Sequence, residues 1–156
     1  MREILFKAKR IDNGEWVEGL LWKKKHQSNR WYISCFPDKD DNEEVYAIDE
    51  KTLCQYTGLT DKNGKKIWEN DILRGHGNPK DLAKATFGEF YVIDVETLEK
   101  VDSVYGWHTE VIPTDALSKC EPFCLPMPLM EVYISRCEYE VIGNIFDNPE
   151  LMKGGE

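Results

Sequence analysis

Segments in which apolar and polar residues alternate dominate the first third of the chain. Residues 4–8 and 16–22 each alternate at the period of two that a half-buried strand requires. Between them lie Asn13 and Gly14, a pair that readily adopts the positive φ of a tight turn. The pattern predicts an N-terminal hairpin, followed by a third strand in the aromatic and β-branched segment WYISCF at 31–36.

The most strongly patterned part of the chain is residues 55–73, QYTGLTDKNGKKIWENDIL. It predicts a strand that ends at Gly58 and then a turn. In that turn the Asp61 carboxylate is expected to accept hydrogen bonds from N–H groups two residues on, and Gly64 is expected to supply a positive φ. We interpret the turn as a solvated hairpin tip, although its lysines also allow a phosphate-binding patch; they are Lys62, Lys65 and Lys66.

The strands that flank this turn carry aromatic residues. Tyr56 and Trp68 are expected to bury their rings on the same sheet if the two strands pair across the turn. A second tight corner follows at residues 69–71. There we interpret Asp71 as a turn acceptor rather than an active-site carboxylate, because spacing ties no second acid, histidine or lysine to it.

The second half of the chain is less regular. We predict a helical turn after Asn78, a second hairpin that bends at Gly88, and no long helix between 101 and 128, where prolines recur. Near the C-terminus, apolar residues again have the spacing of a strand. We predict a bulge or bend at residues 143–144 and a short helix after Asn148. The residues with strand spacing are Val132, Ile134, Tyr139 and Val141.

These elements predict a mostly β fold, at the margin a β-rich α+β fold. It would consist of twisted sheets or a barrel-like domain of short strands with a few short helices. At 156 residues, the chain is expected to form a single domain over residues 1–156, with a less regular insertion at about 75–128.

Composition and charge limit the classes of partner that we expect the protein to bind. The formal net charge of −9 repels phosphate backbones, so nucleic-acid binding is disfavoured, whereas DNA mimicry remains open. No segment resembles a signal peptide or a membrane span, so we expect a cytoplasmic protein without a membrane partner. Five cysteines without paired short spacing fit free thiols in a reducing compartment.

A calcium loop is the sharpest candidate for a metal site. Asp38, Asp40 and Asn42 occupy alternate positions, and Asp49 falls eleven residues after Asp38. However, Glu43 stands where such a loop needs glycine, and aspartate is a short substitute for the last glutamate. We therefore favour an exposed acidic loop.

The cysteines offer a second candidate. Cys120 and Cys124 are four residues apart, with Cys137 and His108 as further zinc ligands, but the spacing matches no common zinc motif. Incidental or buried thiols are therefore favoured. A cysteine nucleophile paired with a histidine is left open; the histidines are His26, His76 and His108.

No nucleotide-binding motif is present. Gly75 and Gly77 lack the further glycine and the strand-to-helix setting of a dinucleotide site, and no Gly-Lys-Ser or Gly-Lys-Thr occurs. We therefore predict no catalytic residues, no metal ligands and no cofactor.

The motif at 55–73 and the terminal segment EVIGNIFDNPEL resemble the YopX family, small proteins of bacteriophages and prophages in low-GC Gram-positive bacteria and beyond. The opening REILFKAKRIDNGEWVEGLL resembles the N-terminal segment of that family. This chain has Asn70 where the family usually has glycine, and Lys9 and Arg10 where members often carry Trp and Asp. The motif residues are Gln55, Tyr56, Thr57, Gly58, Asp61, Asn63, Gly64, Trp68, Glu69, Asp71, Gly143 and Asn144, which we interpret as structural.

The resemblance implies a β-rich, phage-encoded fold capable of self-association, and it implies no activity. We therefore expect a phage or prophage accessory protein in the cytoplasm of a bacterial host. It would act as a non-enzymatic protein-interaction module whose partner is an unidentified phage or host protein. Homo-oligomerisation is left open. The alternatives are a small-ligand or metal-dependent enzyme or binding protein, and a nucleic-acid-binding or DNA-mimic protein.

Overall fold

The computed structural model describes residues 3–24, 29–35, 42–94 and 96–153. The fold is mostly β, as the sequence predicts, and its strands are antiparallel. The chain divides into two compact units, Met1–Gly58 and Leu59–Glu156. The expectation of a single domain over residues 1–156 stays a prediction.

The first unit is built on five strands in the order β4-β3-β2-β1-β5. The predicted N-terminal hairpin is confirmed, since β1 pairs with β2 around a turn in which Gly14 has a φ of 74°. The third predicted strand is confirmed as β3. The strands are β1 (Phe6–Lys9), β2 (Trp16–Lys23), β3 (Trp31–Cys35), β4 (Glu44–Ala47) and β5 (Cys54–Thr60), the last of which continues into the second unit.

The strands of the first unit close on themselves. A β-bridge joins Arg10 to Ile48, and the Asp49 N–H donates to the Lys9 carbonyl at 2.8 Å, so the end of β4 returns to the end of β1. This closure shields one face of the sheet from water, and the apolar side chains of that face form the core. Its fully packed members are Ala8, Ile33 and Ile48.

The prediction that a strand ends at Gly58 is wrong. Strand β5 continues to Thr60, and Gly58 lies inside it with a φ of 86°. A glycine at positive φ distorts a strand locally without ending it, because it carries no Cβ to clash with the backbone.

The second unit contains a five-stranded sheet in the order β10-β9-β8-β7-β11. Strand β6 lies outside that sheet, beside the end of β5. A 3₁₀ helix at Pro149–Lys153 confirms the predicted short helix after Asn148. The elements are β6 (Lys66–Trp68), β7 (Asp71–Arg74), β8 (Leu82–Ile93), β9 (Lys100–Val111), β10 (Met127–Pro128), α1 (Glu131–Arg136) and β11 (Glu140–Asn144).

The predicted bend at Gly88 is wrong. Strand β8 runs through this residue, which pairs with Gly106 of β9, and the hairpin turns only after Ile93. Two glycines opposite each other leave the backbone pairing intact, so Gly88 does not form the bend that the sequence predicts.

After Asn78 the chain forms a single hydrogen-bonded turn rather than a helix. The Asp81 N–H donates to the Asn78 carbonyl at 3.0 Å, and the Asn78 Oδ1 accepts from the Lys80 N–H at 3.0 Å, which is the capping role predicted for Asn78.

Val132 and Ile134, predicted as strand residues, lie in helix α1. Ile134 is buried whereas Val132 is exposed, so the two residues do not share a face as they would in a strand. Burial of the Ile134 side chain in the core stabilises the helix, and this gain outweighs the preference of β-branched residues for strands. The core cluster around it contains Ile67, Leu73, Ala85, Leu129, Ile134, Tyr139 and Val141.

No helix among the described residues has the length and apolar character that a membrane span requires.

Candidate functional site

The Asp61 side chain fixes the turn between β5 and β6 and ties it to β11. Its Oδ1 accepts hydrogen bonds from the N–H groups of Asn63 and Lys65 at 2.8 and 2.9 Å; the first is the predicted bond two residues on. Its Oδ2 accepts from the Val141 N–H at 2.9 Å, and the residue is 5% exposed. One buried carboxylate therefore satisfies three backbone donors.

Residues 62–65 of this turn are exposed, as the interpretation of a solvated hairpin tip predicts, and the turn also contacts β11. The Lys62 N–H donates to the Tyr139 carbonyl at 3.0 Å, and Lys62 Nζ lies 3.8 Å from the Glu140 carboxylate. Lys66 Nζ lies over the Trp68 ring, 5.8 Å from its centroid. Two of the three lysines around the turn therefore have partners within the protein, which weakens the phosphate-patch interpretation.

The corner after β6 uses the chemistry that the sequence indicates. Asn70 adopts a φ of 66°, and the Asp71 Oδ2 accepts from the Trp68 N–H at 2.8 Å. Asp71 is 2% exposed, and Trp68 is buried as predicted. This geometry supports Asp71 as a turn acceptor.

The terminal motif also forms a turn. A register shift in the β7–β11 pair between Val141 and Gly143 confirms the predicted bulge. A Cβ on Gly143 would lie 2.2 Å from the Asn148 Oδ1, so no side chain fits there without moving Asn148. The Asn144 Oδ1 accepts from the N–H groups of Phe146 and Asp147.

The other motif residues lie in strands and turns. Gln55 pairs with Phe6 across β5 and β1, and Tyr56 and Thr57 are buried in β5. Gly64 adopts a φ of 80° in the turn, and Glu69 lies in the second corner. The interpretation of the whole motif as structural stays a prediction.

An ion-pair cluster lies beside the docked turn. The Arg74 guanidinium donates to the Glu140 Oε2 at 2.9 Å, and Lys62 is the second cation near this carboxylate. The hydrogen bond from Arg74 is the main reason that the pKa of Glu140 lies below its ordinary value.

This lowered pKa predicts an acid-dependent contribution to stability. Because Glu140 holds its charge more strongly in the folded state, its contribution to stability is present above about pH 4.3, the ordinary pKa of glutamate, and is lost as the pH falls through the lowered folded pKa. The stability difference between the wild type and Glu140→Gln should therefore shrink between pH 7 and pH 2 in urea denaturation. Glu3→Gln, at an exposed residue, is the control. A Glu140→Gln difference independent of pH would contradict the pairing.

The candidate metal sites are not assembled in the described part of the chain. No three His, Cys, Asp or Glu side chains come together there to hold a metal. His108 is instead buried, stacked on the Phe90 ring with 4.6 Å between ring centroids. Asp38 and Asp40 of the calcium candidate lie outside the described residues, while the Asp49 side chain caps a 3₁₀ helix at Glu50–Thr52.

The cysteines are free thiols among the described residues. Burial raises the pKa of Cys137, which keeps this thiol protonated at neutral pH. Reactive cysteines show the opposite shift, because the thiolate is the nucleophile.

A cavity of about 270 Å³ lies beside the turn between Gly75 and Asp81. At its rim, the His76 Nδ1 lies 2.9 Å from the Asp81 Oδ2, and Leu117 and Phe123 supply apolar walls. The Ser118 Oγ that also lines it accepts from the N–H groups of Thr114 and Asp115, so this hydroxyl serves the local turn. This cavity is smaller than the roughly 300–1,000 Å³ typical of ligand pockets, whereas a cavity of about 490 Å³ in the first unit, lined by Lys9, Arg10 and Trp31 among others, lies within that range.

An exposed apolar surface of the second unit lies on the β8–β9 hairpin. The hairpin exposes Phe87, Tyr91, Val101, Val104 and Tyr105, with Tyr105 73% and Val101 66% exposed. The strand register places three of the aromatic side chains, those of Phe87, Tyr91 and Tyr105, on one face. Phe87 contacts Tyr105 edge to face at 5.2 Å between centroids. We call this face of the hairpin the aromatic face.

The far end of the hairpin is a defined turn. The Asp94 Oδ1 accepts from the N–H groups of Glu96 and Thr97 at 2.8 and 3.0 Å. The Thr97 bond is the first cause of the lowered pKa of Asp94. The turn holds the two strands in one register, so the aromatic face is preformed.

This surface was not predictable from a sequence in which Gly88 is interpreted as a bend. The signal that could have revealed it is the alternation of Phe87, Glu89 and Tyr91 in one half and Ser103 and Tyr105 in the other.

The first unit carries another exposed apolar patch. Leu20, Trp22 and Val45 are exposed on the outer side of β2 and β4. The Trp22 ring stacks on Tyr32 with 4.8 Å between centroids, and the Trp22 Nε1 donates to the Ser34 Oγ. These partners fix the Trp22 ring within its own sheet.

The protein is therefore β-rich and built from small antiparallel sheets. Its exposed aromatic hairpin is a candidate interaction surface. The family model described as "YopX protein" matches residues 5–153, so the chain belongs to the YopX family. Comparison with curated proteins finds no match. Among solved structures, the chain is similar to protein EF1440 from Enterococcus faecalis, with 20% identity, a TM-score of 0.47, and coverage of 97% of this chain and 99% of that one.

Proposed function

We propose that this YopX-family protein is a non-enzymatic phage or prophage accessory protein that binds a protein partner in the host cytoplasm through its β8–β9 hairpin. The exposed aromatic face carries the proposal. Each square ångström of apolar surface left in water forgoes about 25 cal/mol of stabilisation. Contiguous exposed patches on folded proteins therefore commonly mark interaction sites.

Three features of the surface support a protein partner. Tyrosine and phenylalanine rings provide large contact areas with few rotatable bonds, so binding costs little side-chain conformational entropy. The hairpin is pre-organised by its register and its turn, which lowers the cost of association. The acidic charge of the chain disfavours nucleic acid as the partner.

Site-specific photocrosslinking tests this proposal. A photoreactive phenylalanine analogue replaces Tyr105 in the phage-infected host, and the matched control carries the same analogue at Phe123, an aromatic residue outside the hairpin that is 57% exposed. We expect a crosslinked protein adduct whose yield is at least tenfold higher at position 105. Equal yields at the two positions would contradict a docking role for the hairpin.

A further inference from the structure

We propose that the outer edge of β8 binds an extended, basic segment of the partner as an added strand. The edge consists of the backbone groups of Phe87, Glu89 and Tyr91. The inference rests on the proposed function and specifies the chemistry of the partner.

The hydrogen-bond pattern identifies which backbone groups face outward. The Ile112 N–H donates to the Leu82 carbonyl at 2.8 Å, on the β9 side of β8, whereas the Asn70 N–H donates to the Ala85 carbonyl at 2.8 Å on the opposite side. In an antiparallel strand, both backbone groups of a residue point the same way, and the direction alternates along the strand. The odd-numbered residues of β8 therefore direct their N–H and C=O groups away from β9.

This edge is open along the distal half of β8. Strand β7 pairs with β8 only at Leu82, Ala83 and Lys84. Within the described residues, the strand from Phe87 to Tyr91 pairs with β9 alone. Such an edge is a template for strand addition, in which main-chain hydrogen bonds give affinity and alternate side chains give specificity.

The side chains along the edge select a cation. Glu89 lies between Phe87 and Tyr91 on the aromatic face, so a carboxylate is flanked by two rings. Lysine and arginine bind carboxylates through charge-assisted hydrogen bonds and bind ring faces through cation–π contacts. Within the hairpin, the Lys100 Nζ lies 3.8 Å from the Tyr91 ring centroid and the Ser103 hydroxyl donates to the Glu89 carboxylate, so an incoming cation would share both groups with these contacts.

The charge of the hairpin favours a basic partner over a second copy of the chain. Between Glu89 and Asp102, the distal part of the hairpin, the other described carboxylates are Asp94, Glu96, Glu99 and Asp102, against one ammonium group, that of Lys100. Pairing of two β8 edges centred on Glu89 would place like charges directly opposite each other, which is destabilising. A basic strand instead meets opposite charge along the same edge.

Residue-resolved amide hydrogen exchange tests the added strand. The probe is a nine-residue peptide of alternating lysine and valine. In the free protein, the amides of Phe87, Glu89 and Tyr91 should exchange at least tenfold faster than those of Gly88 and Phe90. Saturating peptide should slow the three outward amides at least tenfold and leave the other two unchanged. An even effect along β8, or no effect, would overturn the proposal.

Two peptide controls separate charge from backbone pairing. A peptide of alternating glutamate and valine, and a lysine–valine peptide with N-methyl groups on alternate residues, should each bind at least tenfold more weakly. Equal binding of either control would overturn the proposal. A free protein that sediments as a dimer with the three outward amides already protected would also overturn it, because a second copy would then occupy the edge.

Variants of the protein complete the test. Glu89→Gln should weaken binding of the lysine–valine peptide at least fivefold. Asp102→Asn makes the same change in charge on β9, on the other face of the hairpin, and should weaken binding less than twofold. Equal effects would overturn the edge assignment. If crosslinking at position 105 succeeds without alternating protection, strand addition alone is wrong; if both fail, the proposed function is wrong as well.

Discussion

Replacement of Asp61 by alanine is expected to destabilise the folded protein by about 3–5 kcal/mol, because each donor left without its acceptor costs roughly 1–3 kcal/mol when buried. The variant leaves three N–H groups without their acceptor, those of Asn63, Lys65 and Val141. The Val141 donor is the most costly, since its bond is buried. Urea denaturation of the two proteins measures the difference.

Asp61→Asn provides the matched comparison. Its single carbonyl oxygen can still accept from Asn63 and Lys65, whereas its NH₂ group would face the Val141 N–H. We therefore expect a loss between zero and that of the alanine variant. A loss below about 1 kcal/mol for Asp61→Ala would contradict the anchoring role of the carboxylate, since it is less than the cost of one buried unsatisfied donor.

Replacement of Trp68 by alanine is the second change with a large expected effect. Trp68 is 5% exposed, and its removal leaves a large cavity, so we expect a loss of about 3–5 kcal/mol. Tyr105→Ala removes an aromatic ring that is 73% exposed and should cost less than about 1 kcal/mol. Urea denaturation of both variants measures the contrast.

The comparison of Trp68 with Tyr105 separates two uses of aromatic residues in one chain. A ring that builds the core is needed for folding, whereas a ring on the aromatic face is available for binding. Equal losses of stability for the two variants would mean that Tyr105 has a structural role and would weaken the case for a docking surface.

Turns were predictable from the sequence because their chemistry is local. The positive φ values of Gly14, Gly64 and Asn70 follow from residue type. The bond from the Asn63 N–H to Asp61 follows from a spacing of two residues. Such signals need no knowledge of the rest of the chain.

Docking of the turn on β11 was not predictable, because it joins distant residues. Asp61 and Val141 are 80 positions apart. Nothing in the local pattern around Asp61 distinguishes an acceptor that also binds a remote strand from one that serves only its own turn. The interpretation of a solvated tip agrees with the exposure of residues 62–65 but did not include this contact.

The candidate site was not predicted because Gly88 was interpreted as a bend. Gly88 instead pairs with Gly106, and β8 and β9 pass through these two residues. Helix α1 was missed because β-branched residues such as Ile134 favour strands, and only the core contacts of that side chain reveal the helix.

The crosslinking yield at position 105 relative to position 123 tests most directly whether the β8–β9 hairpin is a binding element. A yield at least tenfold higher at position 105 in infected cells, with the same partner captured at position 91, is the predicted result. Equal yields at positions 105 and 123 would contradict the proposed function.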